Sequence, residues 1–335
     1  MPTFTPAPPP PRGARISGLG VYRPSRVVPN AEIAERLGVF ERQLARRSGI
    51  RHRRFAEPHE TLTAMAAAAA ATALKRAGVD AADLGCAVVA TTTHLSQMPS
   101  AATAVLRELG GNGVAGFDIL AACAGFPYAV GLARDMVAAG SAEHVLVVGA
   151  ERISDILDHD DPATAFLFGD GAGAVVVSAA DRAAIGPVVW GSDVDRPDAV
   201  GMTGRWVPEL RADPALPWPR LGMVGWKVYR WATTELAPAA RLAVARAGLT
   251  LDDIDAFIPH QANMLVTDAL VRQLGLGAHV AVARDIAESG NTSSASIPLA
   301  MEALSASGAV RPGQRALCIG FGSGLVYAAQ VVDIP

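Results

Sequence analysis

Three side chains stand out for the chemistry that their types and settings permit. The first is Cys123, in the run FDILAACAGFPYAVGLARDMVAAG that begins at Phe117. Residues 118–122 read as the end of one element. From Gly125 the apolar positions Phe126, Val130, Leu132, Met136 and Val137 follow helical spacing. Cys123 is then expected at or just before a helix N-terminus, where free backbone N–H groups and the helix dipole favour a thiolate. Ala121, Ala122, Ala124 and Gly125 leave room for a bound chain against the sulfur. The second is His260, in FIPHQANM (257–264). A buried-looking strand ends there, with His260, Gln261 and Asn263 at its C-terminal edge, where α/β folds bind ligands. The third is Asn291, at the tip of the small polar loop SGNTSSAS (289–296). Thr292 and Ser293 are capping candidates for a following helix that bears Ile297, Leu299, Met301 and Leu304. A cysteine in an apolar segment is most often inert core, and Cys86 and Cys318, inside strand-like runs, suit that role better. An Asn in a Gly-Asn turn is usually only a turn. Found together at three element ends, the Cys, His and Asn point to one converging site.

The elements that must position them are short Val/Ile-rich runs alternating with helical patterns. Strands are expected at 86–91, 144–150, 173–179, 256–260, 315–321 and 326–332. Continuous apolar runs of this length suit strands buried on both faces, and their alternation with helices argues an α/β sandwich. The chain also repeats. RAGVDAADLGCAVVA (76–90) reads like RAGLTLDDIDAFIPH (246–260), an offset of 170, and EHVLVVGAE (143–151) resembles QRALCIGFG (314–322), an offset of 171. Two matches at nearly one offset predict two copies of one fold. The expected division is a Pro-rich tail over 1–14, a first half over 15–185 carrying the cysteine, and a second half over 186–335 carrying the His and Asn. Residues 191–222, with five prolines and little periodicity, read as an irregular excursion near a site mouth.

Composition narrows the function further. Of 335 residues, 50% are hydrophobic and 18% charged, and the net charge is −3. That is ample core material and no basic excess, so no nucleic-acid partner is expected. Three widely spaced cysteines form no metal-site or disulfide pattern, and no metal is expected. The N-terminal MPTFTPAPPPPRG lacks an apolar signal core. The alanine run AMAAAAAATAL (64–74) is too short and weakly apolar for a membrane span and is expected as a buried helix. A reducing, cytoplasmic setting follows. FGDGAGAVVV contains a formal GxGxxA from Gly169 to Ala174, but a Val-rich strand and not a helix is expected after it, which argues against a dinucleotide site. The arginine-rich run 42–55 reads as an exposed basic face.

FDILAACAGF, IPHQAN, GNTSSAS and FGDGAGA, in this order and spacing, resemble the ketoacyl synthase III family of the thiolase superfamily, from about Ile16 to the C-terminus. Members that prime aromatic polyketide assembly look most similar. The resemblance implies a thiolase-like, five-layered αβαβα sandwich of two stacked halves. It implies that Cys123 is acylated, and that His260 and Asn291 assist decarboxylation and hold the enolate formed from a malonyl thioester. A second oxyanion hole would use the backbone N–H groups of Cys123 and of Ser323, in the loop GFGSG (320–324), where the family usually has glycine. Met98, Phe168, Arg230 and Asn263 would contact substrate, Met98 by reaching into a partner subunit's acyl pocket. The family's adenine clamp aligns with Gln43 and Pro162, and its carrier-protein arginine with Leu265, leaving Arg230 and Arg272 as substitutes. These departures shift the expected acyl donor from CoA toward an acyl carrier protein. The implied reaction is acyl transfer to Cys123 followed by decarboxylative condensation with a malonyl carrier protein, priming fatty acid or polyketide synthesis, by a homodimer without cofactors. An acyltransferase to a hydroxyl or amine, with His260 as base, is the alternative, and a non-catalytic carrier-binding partner a minor one.

Overall fold

The Val-rich runs form the centres of two five-stranded sheets. The computed structural model describes residues 13–205, 213 and 215–335. Its first part runs β1 (Gly13–Tyr22), β2 (Arg26–Pro29), α1 (Asn30–Leu37), α2 (Glu41–Ser48), β3 (His52–Phe55), α3 (Leu62–Ala77), β4 (Cys86–Ala90), α4 (Ala101–Leu109), β5 (Ala115–Ile119), α5 (Gly125–Ala138), β6 (His144–Glu151) and β7 (Gly171–Ala180). Then follow β8 (Val189–Ser192), β9 (Val200–Met202), β10 (Leu221–Met223), α6 (Gly225–Arg246), β11 (Ala256–Pro259), α7 (Met264–Leu274), β12 (Ala281–Val282), α8 (Ile286–Ser289), α9 (Ser296–Ala306), β13 (Arg315–Gly322) and β14 (Val326–Asp333). All six strands expected from the apolar runs are present, and a strand rather than a helix follows Gly169. The proline-rich residues 1–12 and part of the 191–222 excursion lie outside the described residues.

The strand orders are β1-β7-β6-β4-β5 and β8-β14-β13-β11-β12, and the senses match position by position. In each sheet the first three strands pair antiparallel and the last three parallel. The fold is therefore duplicated, as the sequence repeat predicts. The correspondence extends to single residues. The 3-10 turns Ala122–Ala124 and Ser293–Ala295 lead directly into α5 and α9, at the same offset of 171 that relates β6 to β13.

Strand periodicity sorts the core into layers, because successive side chains point to opposite faces. Ala87, Val89, Leu146, Val148 and Val176 pack outward against the alanine-rich α3 and against α4. Cys86, Val88, Val145, Val147, Val175 and Val177 point inward, onto α5, α9 and the inner face of the second sheet. Phe257, Leu317, Ile319 and Val331 pack on α6 and α7. The result is helix, sheet, helix, sheet, helix. Cys86 and Cys318 both lie in the central layer, buried. The small side chains of α3, with Met65, Ala66, Ala69, Ala70 and Ala73 buried, account for the alanine run.

One contact between the halves depends on a missing side chain. A Cβ on Gly149 of β6 would lie 2.4 Å from the Ser294 carbonyl oxygen, which is backbone and has nowhere to go. Gly149→Ala is expected to lower stability by about 1–3 kcal/mol, the usual cost of forced overpacking, and to push the 293–295 turn away from the first sheet. Thermal unfolding together with turnover checks this; a variant that melts and turns over like the parent contradicts it.

Candidate active site

The three chemically marked residues meet in one cavity of about 930 Å³, lined by Cys123, His260, Asn291, Phe168, Asn263 and Ser323 among others. Its wall is mostly apolar, with Leu120, Ile156, Met223, Trp226 and Val228 along it. The 191–222 excursion supplies part of that wall through β9 and β10.

Cys123 sits in the 3-10 turn that runs straight into α5, so the helix start is where the pattern placed it. The residue before it, Ala122, has a φ of 45°, a left-handed conformation uncommon for a residue with a Cβ and typical of strained functional sites. The loop at 320–324 passes close by. A Cβ on Gly322 would stand 2.8 Å from the Cys123 backbone nitrogen, so only glycine allows this approach. The adjacent Ser323 donates its hydroxyl to the Val200 carbonyl at 2.7 Å, tying the loop to β9.

The protonation of Cys123 corrects the expectation of a thiolate made by the helix alone. Burial pushes the thiol up to about 12; a hydrogen bond with Ser293 works the other way, and the nearby Glu151 adds to the rise. A helix terminus stabilises an anion by at most about 2 kcal/mol, a roughly 30-fold gain in thiolate. That does not offset the burial, so the resting sulfur is protonated.

His260 and Asn291 are each held so that an N–H is left for the cavity. His260 directly follows β11, its ring edge-on to Phe321 at 5.1 Å between centroids. Its Nδ1 lies 2.7 Å from Ser296 Oγ. That oxygen already accepts from the Gln261 backbone N–H at 3.3 Å. Among the described residues the Ser296 hydroxyl has no acceptor other than Nδ1, so its proton is assigned to Nδ1, which leaves the hydrogen on Nε2. Burial pushes the imidazole down to about 3, so it stays neutral at any working pH. The Asn291 carbonyl oxygen accepts from the Ser293 N–H at 2.9 Å, which leaves its NH₂ as the free group. The Asn291 backbone is pinned to the first half: its N–H donates to Leu167 O at 2.8 Å and its C=O accepts from Gly169 N–H at 3.0 Å.

Beneath the cysteine lies a residue that the sequence pattern does not mark. Glu151, the last residue of β6, is wholly buried. Its Oε2 accepts from Thr93 Oγ1 at 2.7 Å and Thr92 N–H at 3.1 Å, and its Oε1 from Ser293 Oγ at 3.0 Å and Ser294 Oγ at 3.1 Å. Burial pushes its carboxyl up while these hydrogen bonds pull it down. Closing a valine-rich strand, it gives no sequence signal beyond its charge. Ser296, by contrast, is the last letter of GNTSSAS and was open to reading.

The remaining expected contacts divide. Phe168 is buried in the cavity wall. Asn263 reaches the cavity, but its side chain accepts from Leu265 N–H and donates to Arg47 O, capping α7 and tying it to α2. Arg230 lines a separate small pocket with Arg196, Trp231, Thr234 and Glu235. Met98 is 82% exposed and is not in the cavity wall. The arginine run is not one exposed face. Arg53 is fully buried, donating to Val28 O, Asn30 Oδ1 and Phe166 O. Arg47 lies over the Phe166 ring at 4.5 Å and lines the cavity.

A thiol at a central helix start, facing two neutral N–H donors between duplicated halves, is the equipment of a thiolase-like condensing enzyme. The comparisons agree. Residues 117–194 match the family described as 3-oxoacyl-[acyl-carrier-protein (ACP)] synthase III, and residues 244–334 match its C-terminal region. The chain is 51% identical over 331 residues to the beta-ketoacyl-[acyl-carrier-protein] synthase III 1 of Streptomyces coelicolor, with 96% of each chain covered. It is 49% identical over 322 residues to the corresponding synthase III of Streptomyces glaucescens, again with 96% of each covered. The structure superposes with a TM-score of 0.96 on the priming beta-ketosynthase from the R1128 polyketide biosynthetic pathway, at 46% identity and 100% coverage of both chains. It superposes with a TM-score of 0.88 on the synthase III of Aquifex aeolicus, at 32% identity, covering 96% of this chain and 100% of that one. The chain belongs to the 3-oxoacyl-[acyl-carrier-protein] synthase III family.

Ser296→Ala is expected to slow condensation about five- to tenfold, the worth of one neutral hydrogen bond, because no donor then faces Nδ1 to hold the ring hydrogen on Nε2. Acylation of Cys123 should be unaffected. Single-turnover condensation by preloaded enzyme measures this, and an unchanged rate would contradict the tautomer assignment. With the imidazole pushed down to about 3, the same half-reaction should show no His260 ionisation at pH 5 and above.

Proposed function

We propose that this chain joins an acyl group to a malonyl unit in two half-reactions, priming fatty acid or polyketide synthesis. In the first, the Cys123 sulfur attacks the carbonyl carbon of an acyl thioester. The C–O double bond opens to an oxyanion, and the donor thiol leaves. The hole for that oxyanion is assigned to the backbone N–H groups of Cys123 and Ser323, supported by the close passage of Gly322 beside Cys123. Exchange of one thioester for another changes bond energies little.

In the second half-reaction a malonyl thioester loses CO₂. The electron pair left behind spreads onto the thioester oxygen as an enolate, and His260 Nε2–H with the Asn291 NH₂ would hold it. The carbanion carbon then attacks the acyl carbonyl on Cys123, and the sulfur departs. Neutral donors suit this step. A cationic histidine would pair with the malonyl carboxylate and stabilise the ground state as well as the transition state. The observation that carries the reading is the pair of hydrogen bonds, Ser296 to Nδ1 and Ser293 N–H to Oδ1, that turns both N–H groups toward one cavity.

The donor is proposed to be carried by an acyl carrier protein. Gln43 and Pro162, at the positions of the family's adenine clamp, are exposed and offer no stacking pair for a CoA base. Arg42 and Arg46 on α2 are exposed at the same rim and suit an acidic partner. The working form is proposed to be a homodimer, and the halves to run over 15–185 and 186–335. β5 is an edge strand of the first sheet, with Phe117, Leu120 and Met98 exposed beside it, a surface that a second copy would cover. No helix among the described residues is long and apolar enough to cross a membrane.

Intact mass after incubation with acyl-carrier proteins and acyl-CoAs tests the first step. A gain is expected in the parent and not in Cys123→Ala. Asn291→Ala should still acylate but lose roughly 10²- to 10³-fold in condensation, as for the loss of one oxyanion donor. An Asn291→Ala enzyme that condenses at the parent rate, or an acyl group that passes instead to an alcohol or amine, overturns the reading. Phe117→Lys is expected to yield monomers by sedimentation; an unchanged mass would refute β5 as the dimer edge.

A further inference from the structure

We propose that Arg53, which is not in the cavity wall, is a positioning residue for Asn291. The inference rests on Asn291 acting as an enolate donor in condensation. It gives a role to an arginine that the pattern of the run 42–55 places on the surface and the structure buries.

Arg53 lies on β3 with no exposed surface. Its Nη2 donates to Phe166 O at 2.6 Å and to Asn30 Oδ1 at 2.8 Å, and its Nη1 to Val28 O at 3.4 Å. Asn30 is fixed to present that oxygen, because its Nδ2 donates to Ile50 O at 2.6 Å. All three acceptors are neutral. Glu32 is near enough to favour the cation but pairs with Arg26 instead. Burial pushes the guanidinium down to about 10, so it is still a cation at neutral pH. A buried cation without a carboxylate is costly, and an apolar side chain of similar length would fill the space without that penalty. What Arg53 adds is its donors, and the shortest of its bonds goes to Phe166.

Phe166 begins the segment that holds Asn291. Phe166, Leu167 and Phe168 line the cavity. The Leu167 carbonyl accepts the Asn291 N–H at 2.8 Å, and the Gly169 N–H donates to Asn291 O at 3.0 Å. Phe168 and Asn291 thereby form a parallel bridge. The stem of Arg53 packs on the same bridge. A Cβ on Gly290 would stand 2.9 Å from Arg53 Cβ, and one on Gly169 would stand 3.1 Å from it. The stem therefore lies against the residue before Asn291 and the residue after Phe168, while the head holds Phe166. The Asn291 NH₂ has no other rigid reference to the first half, since its Oδ1 is bonded within its own turn, to Ser293 N–H. If the 166–169 segment shifts, the NH₂ shifts with it, and a misplacement of about 1 Å can cost roughly 10²-fold in rate. Cys123 is held by a separate turn ahead of α5, so its acylation does not depend on this support.

The test combines amide hydrogen exchange, which needs no substrate, with the two half-reactions, all on the full-length enzyme. In Arg53→Met the Gly169 and Asn291 amides should exchange about tenfold faster, while those of β6 and β13 keep the parent rate. Cys123 should acylate as in the parent, and single-turnover condensation by preloaded enzyme should fall about 10- to 100-fold. Arg53→Lys keeps the cation and the stem without the planar fork. It should fall between parent and Arg53→Met, and it guards against a Met variant that fails to fold. Arg53→Met combined with Asn291→Ala should be no slower than Asn291→Ala alone, because both act through one donor. Parent-like exchange at Gly169 and Asn291 in the Arg53 variants overturns the proposal. So does an equal loss in acylation and condensation, or a double variant slowed by the full product of the two single losses; either marks a structural role only. If Asn291→Ala itself condenses at the parent rate, the proposed reaction fails, and the exchange rates alone then decide whether Arg53 positions Asn291.

Discussion

The site exists because one turn of the second half is seated in the first. Residues 291–296 carry Asn291, Ser293, Ser294 and Ser296, and the two middle serines and the Asn291 backbone make that seating. Ser293 and Ser294 reach Glu151, Ser294 also reaches Ala90 O, and the Asn291 backbone pairs with Leu167 and Gly169. The missing side chain at Gly149 lets the Ser294 carbonyl come down onto β6. A buried carboxylate costs several kcal/mol unless its lone pairs are filled. Here donors from both halves fill them, so the halves can close on each other only in the arrangement that also aims Asn291 at Cys123. Folding and site assembly are the same event.

The electrostatics follow from that burial. Low dielectric penalises any new charge, and both groups opposite the cysteine are neutral. His260 is held uncharged by desolvation and Asn291 cannot ionise. In the proposed reaction, neutral donors would hold a developing enolate without attracting the malonyl carboxylate beforehand, which is where catalytic advantage lies. The one anion near the sulfur is Glu151, and it raises the thiol further.

The layered fold was largely legible from the chain. Runs such as HVLVVGAE and GAVVVSA are apolar on both faces, and only a strand between two helical layers uses both. The repeat at 76–90 and 246–260 was visible because it covers a helix end, a turn and a strand, all under the same packing constraint. Of the two sheets, β1, β5, β8 and β12 escaped the pattern: β1 is broken by glycines, β5 is half exposed, and β8 and β12 are only four and two residues long. Cys123, His260 and Asn291 were legible because they stand at element ends. Glu151 was not, since a carboxylate closing a strand looks like a solvated end, and its value comes from Thr92, Thr93, Ser293 and Ser294, which are distant in sequence. Arg53 was misread for a related reason. Six basic residues lie within the run 42–55 beside it, and nothing local distinguishes the one whose partners are backbone carbonyls.

The duplication also explains the division of labour. At the offset of 171 that superposes β6 on β13, Ala122 corresponds to Ser293 and Gly125 to Ser296. Ala122 and Ser293 are the two non-glycine residues with positive φ among those described, at 45° and 49°. The strained turn before a central helix is thus a property of the ancestral half, not a device added for catalysis. What differs is the cargo. One copy of the turn carries Cys123; the other carries Ser294, whose hydroxyl is spent on Ala90 O. The same offset pairs Glu151 with Gly322. In the first half the strand end supplies an acceptor beneath the turns, and in the second it supplies empty space that brings the Ser323 loop against Cys123. Two copies of one scaffold, each useless alone, have become a site by losing opposite things.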